Sequence, residues 1–184
     1  MDKKIQNLLD QQKIKFKLLE HRKVYTAFNE AETQHVDPKT VAKTVLIKLS
    51  KNLDANQHPG FTALNFVLVT VPAKKRVDLK KIAKAINDRQ AKNYKTLRKA
   101  NPKLKAPAVV AAKLAGEKDI TQQLKTKVGL LHPFGSIFKL PALLDKSLVK
   151  SKKFIVSAGS YTESLEITVK DYLKSEQPLE GSFT

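Results

Sequence analysis

Two apolar segments rich in β-branched residues constrain the fold of this 184-residue chain more than any other feature. They run from Thr44 to Leu49 and from Asn65 to Val71, and a polar loop over residues 50–62 separates them. Their length and composition are typical of β-strands. Neither approaches the eighteen or so apolar residues that a membrane span needs. The pair predicts the beginning of a sheet and no membrane segment.

Helical patterns flank these strands. Asp78 predicts the N-cap of the most regular helix, whose apolar residues recur at helical spacing at Leu79, Ile82, Ala83 and Ile86. Asp2 predicts the N-cap of a first helix with apolar positions at Ile5, Leu8 and Leu9. Further strands are predicted at 15–21, 140–144, 154–158 and 165–169, and further helices at 26–34, 108–115 and 170–174.

The irregular alternation of these elements predicts an α+β fold with a mixed sheet and not a doubly wound one, since neither a GxGxxG nor a Walker motif is present. We expect one domain over residues 1–176. Within it, residues 88–127 form an extended, lysine-rich segment. The part at 89–107 is predicted as a loop or broken segment because of Pro102 and Pro107. Residues 177–184 are predicted as a loose tail.

The charge distribution points to a polyanionic partner. The chain has 35 Lys and Arg against 17 Asp and Glu, a formal net charge of +18. Between Lys74 and Lys105 there are 13 basic and 2 acidic residues. Clustered positive charge releases the condensed counterions of nucleic acid, which makes nucleic acid the leading partner. The alternative is a lysine-rich surface that serves solubility.

The residue inventory argues against metal, thiol and serine-triad chemistry. The chain has no cysteine, and His21, His35, His58 and His132 are not paired at helical spacing, so no zinc site is expected. No GxSxG elbow is present. Any enzymatic activity is therefore expected to depend on positioning and electrostatics, without a metal or cofactor. The N-terminus does not resemble a secretory signal, and a cytoplasmic location is expected.

Lys43 is the first candidate site residue, because it stands at the mouth of the first apolar strand. Strand alternation places it on the face of Val45, Ile47 and Leu49. A lysine at such an edge either extends its ammonium to solvent or enters a cleft to meet an anion. The segment alone leaves both alternatives open.

The loop Gly129–Gly135 is the second candidate. Its glycine permits a close backbone approach to a ligand, Pro133 stiffens the chain, and its carbonyls can accept from an ammonium group. His132 adds an imidazole that titrates near neutral pH. The alternative is a structural turn. Together with Lys43 the loop can form a cationic pocket with a backbone wall, which suits a ligand that carries both a phosphate and an ammonium, such as the 3′ end of an aminoacyl-tRNA.

Taken in order, the motifs of the chain resemble the YbaK and prolyl-tRNA synthetase-associated (ProX-like) family of aminoacyl-tRNA editing domains. The resemblance runs, with gaps, from about Leu18 to Leu173. No single motif is specific, but their order is. In sequence they are Leu19-Glu20-His21, Val24-Tyr25-Thr26, Ala42-Lys43-Thr44-Val45, Arg76–Ala83, the GxxxP loop Gly129–Gly135, Leu140–Leu148 and Ser157-Ala158-Gly159.

The resemblance implies a mixed, barrel-like sheet flanked by helices and a hydrolase that acts on the ester bond of aminoacyl-tRNA. Lys43 would hold the terminal nucleotide through its phosphate or ribose, and Gly129 and its neighbours would present carbonyls to the amino acid's ammonium. His132 would tune which side chain is removed. Lys43, Gly129 and His132 are the expected catalytic residues. Further substrate-binding residues are expected at Thr44, Leu131, Pro133, Phe134, Gly135, Asp145 and Gly159. The tRNA-binding residues are expected at Lys74, Lys75, Arg76, Lys80, Lys81 and Lys84.

The function expected on this basis is a freestanding aminoacyl-tRNA deacylase that acts in trans on mischarged tRNA, with tRNA for proline carrying alanine or cysteine as the expected substrate. Its partners would be tRNA and an aminoacyl-tRNA synthetase. Two alternatives remain open at this point: a non-catalytic tRNA-binding or RNA-binding protein of the same fold, and a domain recruited to a synthetase as a protein partner.

Overall fold

A computed structural model describes residues 1–23, 40–51, 65–105, 108 and 110–184. The helix predicted at 26–34, the Val24-Tyr25-Thr26 motif, His35 and His58 lie outside the described residues, as does most of the polar loop at 50–62.

A five-stranded sheet carries the two strands that the sequence marks most clearly. The central strands β2 (Ala42–Leu49) and β3 (Phe66–Pro72) pair antiparallel. The edge strand β4 (Ala112–Leu114) pairs antiparallel with β2, whereas β5 (Ala142–Asp145) lies parallel to β3 and β8 (Leu179–Gly181) lies parallel to β5. The order is β4-β2-β3-β5-β8. All seven residues of β3 are buried, which explains its unbroken apolar sequence.

A second, three-stranded antiparallel sheet contains β1 (Phe16–Glu20), β6 (Lys153–Ser157) and β7 (Glu163–Thr168) in the order β1-β7-β6. A parallel bridge between Val41 and Ile155 joins it to the start of β2. The mixed α+β class is therefore confirmed. The described strands form two linked sheets instead of one closed barrel.

Six helices lie in the described ranges, and they are α1 (Lys3–Gln11), α2 (Leu79–Ala100), α3 (Glu117–Leu124), α4 (Gly135–Phe138), α5 (Lys146–Val149) and α6 (Val169–Glu176). Both predicted caps are confirmed. The Asp2 carboxylate accepts from the Lys4 amide at 2.7 Å, and that of Asp78 accepts from the amides of Lys80 and Lys81 at 3.0 and 3.1 Å.

The two faces of β2 pack against different parts of the chain. Ile47 belongs to the apolar cluster that α2 covers. Leu46, on the opposite face, shares a cluster with Leu131, and Ala42 shares one with Phe134. The loop that precedes α4 therefore lies on the even-numbered face of β2, and α2 lies on the odd-numbered face. This division determines which predicted site residues meet.

The loop predicted at 89–107 is wrong over its first part, because α2 continues to Ala100 and is 22 residues long. Its second half lacks apolar periodicity, which is why the pattern did not indicate a helix. It is nevertheless composed largely of alanine, lysine, arginine and leucine, which have high helix propensity. The helix ends at Asn101, immediately before Pro102.

The helix predicted at 108–115 is also wrong over its described residues, because Ala112–Leu114 form β4. Alanine favours helix by intrinsic propensity, but the exposed edge of β2 offers backbone partners that override this preference. Ile47 pairs with Leu114 and Leu49 with Ala112.

The C-terminal tail is ordered in the structure, so the prediction of a loose tail is wrong. Leu179–Gly181 form β8, and the Phe183 side chain is fully buried in the cluster between the five-stranded sheet and α2. The Phe183 amide donates to the Asp145 carboxylate at 2.7 Å, and its carbonyl accepts from the Asp78 amide at 2.7 Å. One buried aromatic and two hydrogen bonds thus fix a segment whose terminal position predicts a tail.

We expect Phe183→Ala to lower the free energy of unfolding by about 3–5 kcal/mol, because it removes a fully buried aromatic side chain. Urea denaturation measures the change. Leu114→Ala is the matched control, since Leu114 is 55% exposed and its truncation is expected to stay within about 0.5 kcal/mol. Equal effects of the two substitutions would show that the C-terminal segment does not belong to the core.

Candidate functional site

The start of β2 and the end of β3 lie side by side and bring several predicted site residues to one end of the five-stranded sheet. Lys43 pairs with Val71, and Thr44 pairs with Thr70. The turn that contains Lys74, Lys75 and Arg76 follows β3 directly and leads into α2. The first predicted site lysine and the first predicted tRNA-binding cluster are therefore neighbours.

Lys43 is a partly buried cation beside a second cation. Burial and the nearby positive charge of Arg76 both lower the pKa of the Lys43 ammonium. No acceptor for its Nζ is found within the described ranges, while Arg76 itself is exposed. Two like charges held together at a partly desolvated position destabilise the site until an anion enters.

The loop Gly129–Gly135 crosses the opposite face of β2. Leu131 packs in the cluster of Leu46, and Phe134 packs in the cluster of Ala42. Between these two positions, alternation puts Thr44 on the loop side and Lys43 on the α2 side. Lys43 thus lies on one face of β2 and the loop packs against the other. Thr44, the next residue of the strand, lies on the loop side.

A network of polar contacts ties the loop to the sheet. The hydroxyls of Thr44 and Thr70 lie 3.2 Å apart, and the Thr70 hydroxyl lies near the Tyr172 phenol on α6, where it opposes the rise of the phenol's pKa. The Tyr172 hydroxyl donates to the Pro133 carbonyl at 3.0 Å. Burial raises the pKa of Tyr172 well above its ordinary value, so it remains a neutral donor. The network runs from β2 through β3 and α6 to the loop.

Glu176, one turn after Tyr172 on α6, holds the first turn of α4, directly after the loop. Its carboxylate accepts from the Ser136 amide at 2.9 Å and from the Ser136 hydroxyl at 2.7 Å. Burial raises the pKa of Glu176, although the hydrogen bonds from Ser136 oppose the shift. Sequence reasoning missed Thr70, Tyr172 and Glu176. The i, i+4 spacing of Tyr172 and Glu176 on a short helix was the available signal.

The first half of the loop presents backbone oxygens that the described chain does not use. The carbonyls of Val128, Pro133 and Gly135 accept from Tyr161, Tyr172 and Leu140. By contrast, the carbonyls of residues 129–132 accept no hydrogen bond from any described residue. Gly129 is exposed and has φ +87°, a conformation that glycine adopts without strain. Leu131 and His132 are buried, so the part of this stretch that reaches solvent is Gly129 and, in part, Leu130.

His132 is buried and not displayed at the surface. Its side chain is 2% exposed, its ring stacks on Phe138 with centroids 4.6 Å apart, and its Nδ1 has no hydrogen-bond partner among the described residues. Burial lowers its pKa to about 4, with smaller and opposite contributions from Asp2 and Lys4. The imidazole is therefore neutral at pH 7, and it packs behind the loop, toward the protein interior.

Three other predicted substrate-binding residues have structural partners. Any side chain at Gly135 would collide with the Leu140 carbonyl, and a Cβ at Gly159, where φ is +73°, would lie 2.9 Å from that of Asp2. The Asp145 carboxylate caps α5 through the Ser147 amide at 2.9 Å and also binds the Phe183 amide. Burial opposes its ionisation, but these hydrogen bonds lower its pKa. We assign all three a role in holding the fold of the site.

The predicted tRNA-binding residues are all exposed, and they are Lys74, Lys75, Arg76, Lys80, Lys81 and Lys84. On α2, Lys84 pairs with Asp88 at 2.6 Å, and Lys81 donates to the Thr184 carbonyl at 2.8 Å. The set forms one basic surface from the end of β3 along the first turns of α2.

Neither a metal-binding cluster nor a membrane-spanning helix occurs within the described ranges. No group of three or more histidine, aspartate or glutamate side chains there is arranged to hold a metal ion. Among the helices described, none combines the length and apolar character that a membrane crossing needs.

The cationic sheet end and the loop lie on opposite faces of β2, so a shared pocket for a ligand that carries both charges stays a prediction. The comparisons with known proteins give the class of the chain. The aminoacyl-tRNA editing domain model matches residues 21–104 and 93–175, two segments that overlap within the second half of α2 and the segment after it. The chain belongs to the aminoacyl-tRNA editing domain family.

Solved structures support the fold. A protein proposed to be a trans-editing enzyme for prolyl-tRNA synthetase is 16% identical, with a TM-score of 0.71 over 98% of this chain and 94% of that one. The hypothetical protein APE2540 is 15% identical, with a TM-score of 0.70 over 98% of this chain and 99% of that one. A search of curated proteins finds no match.

We expect the buried histidine to make stability fall with acid. In the unfolded chain His132 takes up a proton near pH 6.5, but in the folded chain only near pH 4. The unfolded state binds more protons between these values, so the free energy of unfolding decreases as pH falls, by on the order of 3 kcal/mol in total. Urea denaturation of wild type and His132→Leu between pH 7 and 4 measures this. Parallel pH profiles of the two proteins would contradict a buried neutral imidazole.

Proposed function

We propose that this protein is an aminoacyl-tRNA deacylase that hydrolyses mischarged tRNA in trans. One observation carries the proposal: in a chain of the editing family, Lys43 is held partly buried next to Arg76, with no acceptor for its ammonium in the described residues. Such a pair is stabilised when an anion binds, and a phosphate or ribose of the terminal nucleotide supplies the acceptor.

The loop would receive the other end of the same ligand. The carbonyls of Gly129 and Leu130 accept no hydrogen bond from the described residues, and the α-ammonium of an esterified amino acid is a donor of the right charge. Thr44 lies on the loop side of β2 and Lys43 on the α2 side. A terminal adenosine can therefore pass the edge of the strand, with its phosphate near Lys43 and its aminoacyl group beside Thr44 and the loop.

The chemistry needs only orientation and fixed dipoles. An aminoacyl ester is already activated by its leaving group, so a water held against its carbonyl can react once the geometry is fixed. The loop is preorganised by Tyr172 and Glu176, which hold Pro133 and Ser136. Preorganised dipoles of this kind commonly supply a large part of an enzyme's rate enhancement. His132 is neutral and buried, which favours a role in shaping the site over one in proton transfer.

The expected substrate is tRNA for proline that carries alanine or cysteine. Leu131, His132 and Phe134 turn their side chains into the protein and line the loop from within, which favours a small amino acid. A synthetase separates side chains that differ by one methylene by only about 1–3 kcal/mol, so a second site that removes small errors is useful. The resemblance in fold to a proposed prolyl trans-editing enzyme is consistent with this choice.

Lys43→Ala is expected to reduce deacylation of alanyl- and cysteinyl-tRNA for proline by about 10²-fold or more, because it removes the charged group proposed to hold the terminal nucleotide. Release of labelled amino acid measures the rate. Lys17→Ala removes an exposed lysine on β1 and is the matched control. A folded Lys43→Ala protein with the wild-type rate would contradict the assignment. If neither protein deacylates any mischarged tRNA, the non-catalytic tRNA-binding alternative is favoured.

Combined substitution of Lys74, Lys75 and Arg76 by alanine is expected to weaken tRNA binding and to flatten its salt dependence, by about one unit of log–log slope for each phosphate that the protein no longer neutralises. Binding isotherms over a series of KCl concentrations measure the slope. Lys3, Lys17 and Lys118, which are exposed elsewhere, serve as a control triple that removes the same charge. If the slope does not change, tRNA binds at another face.

A further inference from the structure

The second half of α2 extends past the core. The buried residues Ile82, Ile86 and Gln90 all lie in its first twelve residues. From Ala91 to Ala100 every residue is exposed except Asn93 and Tyr94, which are half-buried. At 1.5 Å per residue these ten residues add about 15 Å of helix with little apolar contact. The packing of the sheet does not require this extension.

The extension is held in place by local contacts. The Tyr94 hydroxyl donates to the Leu104 carbonyl at 3.3 Å, and the Arg98 guanidinium lies 5.8 Å from the Tyr94 ring centre. Asn87 exchanges two hydrogen bonds of 2.9 Å with the backbone of Val110. Leu104 and Val110, which follow α2 in the chain, therefore contact one side of the helix and leave the opposite side to solvent.

That opposite side is a line of lysines. Lys92, Lys95 and Lys99 are spaced i, i+3 and i+7 and so share one face, which we name the distal stripe. Lys81 and Lys84 continue the same face toward the start of α2. From Lys81 to Lys99 the line is about 27 Å long, and it begins next to the basic turn beside Lys43.

The distal stripe differs from the first half of the helix in its counterions. Lys81 and Lys84 have Asp78 and Asp88 as partners at 3.8 and 2.6 Å. Residues 89–105 contain seven basic residues and no acidic one. Each pair of like charges spaced i, i+3 or i, i+4 destabilises a helix by a few tenths of a kcal/mol. The editing-domain model also matches the chain as two separate segments, and both of them include residues 93–104.

We propose that the distal stripe binds the phosphate backbone of an RNA double helix, and that this duplex is the stem adjoining the 3′ end that enters the site at Lys43. The identity of the RNA rests on the proposed function, whereas the duplex binding itself does not. Single-stranded nucleic acid is usually bound with aromatic side chains that stack on bases. The stripe offers charge alone, and the one aromatic in this part of the helix, Tyr94, lies under Arg98. A surface of this kind contacts phosphates without reading sequence.

The test compares two triple variants in binding to two uncharged RNAs. Lys92→Ala, Lys95→Ala and Lys99→Ala together form the stripe variant, and alanine keeps helix propensity high. Lys3→Ala, Lys17→Ala and Lys118→Ala remove the same charge elsewhere. The probes are an RNA hairpin that ends in a single-stranded CCA and a short single-stranded RNA of the same 3′ sequence, neither of which carries an amino acid. Circular dichroism melting checks that each variant is folded.

We expect the stripe variant to bind the hairpin at least tenfold more weakly than wild type, with a log–log salt slope smaller by about two to three units. Its binding of the single strand should change less than about twofold, and the control triple should lower hairpin affinity less than the stripe variant does. An unchanged hairpin slope, or an equal reduction in the control triple, would overturn the proposal. The proposal would also be overturned if the stripe bound anionic phospholipid vesicles and did not bind the hairpin. Because neither RNA carries an amino acid, the result does not depend on whether the protein deacylates tRNA.

Discussion

The hydrogen bond from the buried Tyr172 phenol to the Pro133 carbonyl is the contact on which the geometry of the site depends. A phenol removed from water needs a partner, and here the Pro133 carbonyl supplies it. The bond fixes the loop against the sheet at the point where Thr44 faces it. The Thr44–Thr70 contact joins β2 to β3, and the Tyr172–Pro133 bond joins α6 to the loop. These contacts make the loop a wall in which the carbonyls of Gly129 and Leu130 accept no hydrogen bond from the described residues.

Opposing electrostatic environments meet at this sheet end. On the α2 side, Lys43 and Arg76 keep positive charge concentrated and partly desolvated, which favours an anion. On the loop side, burial keeps His132 and Tyr172 neutral, and the Glu176 carboxylate is occupied by hydrogen bonds from Ser136. For the substrate proposed above, this polarity favours the phosphate near Lys43 and the ammonium near the loop.

The sequence predicted the elements whose pattern is local and failed where distant contacts decide. β2, β3, the first turns of α2 and both aspartate caps follow from periodicity and capping, which a single segment contains. β4 and β8 did not follow, because each becomes a strand by pairing with a distant edge and not through its own composition. The site shows the same division. Lys43 and the loop could be proposed as site residues from the sequence, and that proposal stays a prediction, whereas Tyr172, Glu176 and Thr70 act through contacts that only the tertiary structure supplies.

The three-stranded sheet has a consequence for how the chain folds. Leu18 pairs with Leu165, and the Asp2 amide donates to the Ala158 carbonyl, so the beginning of the chain completes a sheet made near its end. Closing loops of such length lowers the entropy of the chain before any contact compensates for it, and domains rich in distant pairings fold on millisecond-to-second timescales. We expect the β2–β3 hairpin and α2 to assemble first and the β1-β7-β6 sheet to close last. The rigid wall of the site would thus be completed only in the final stage of folding.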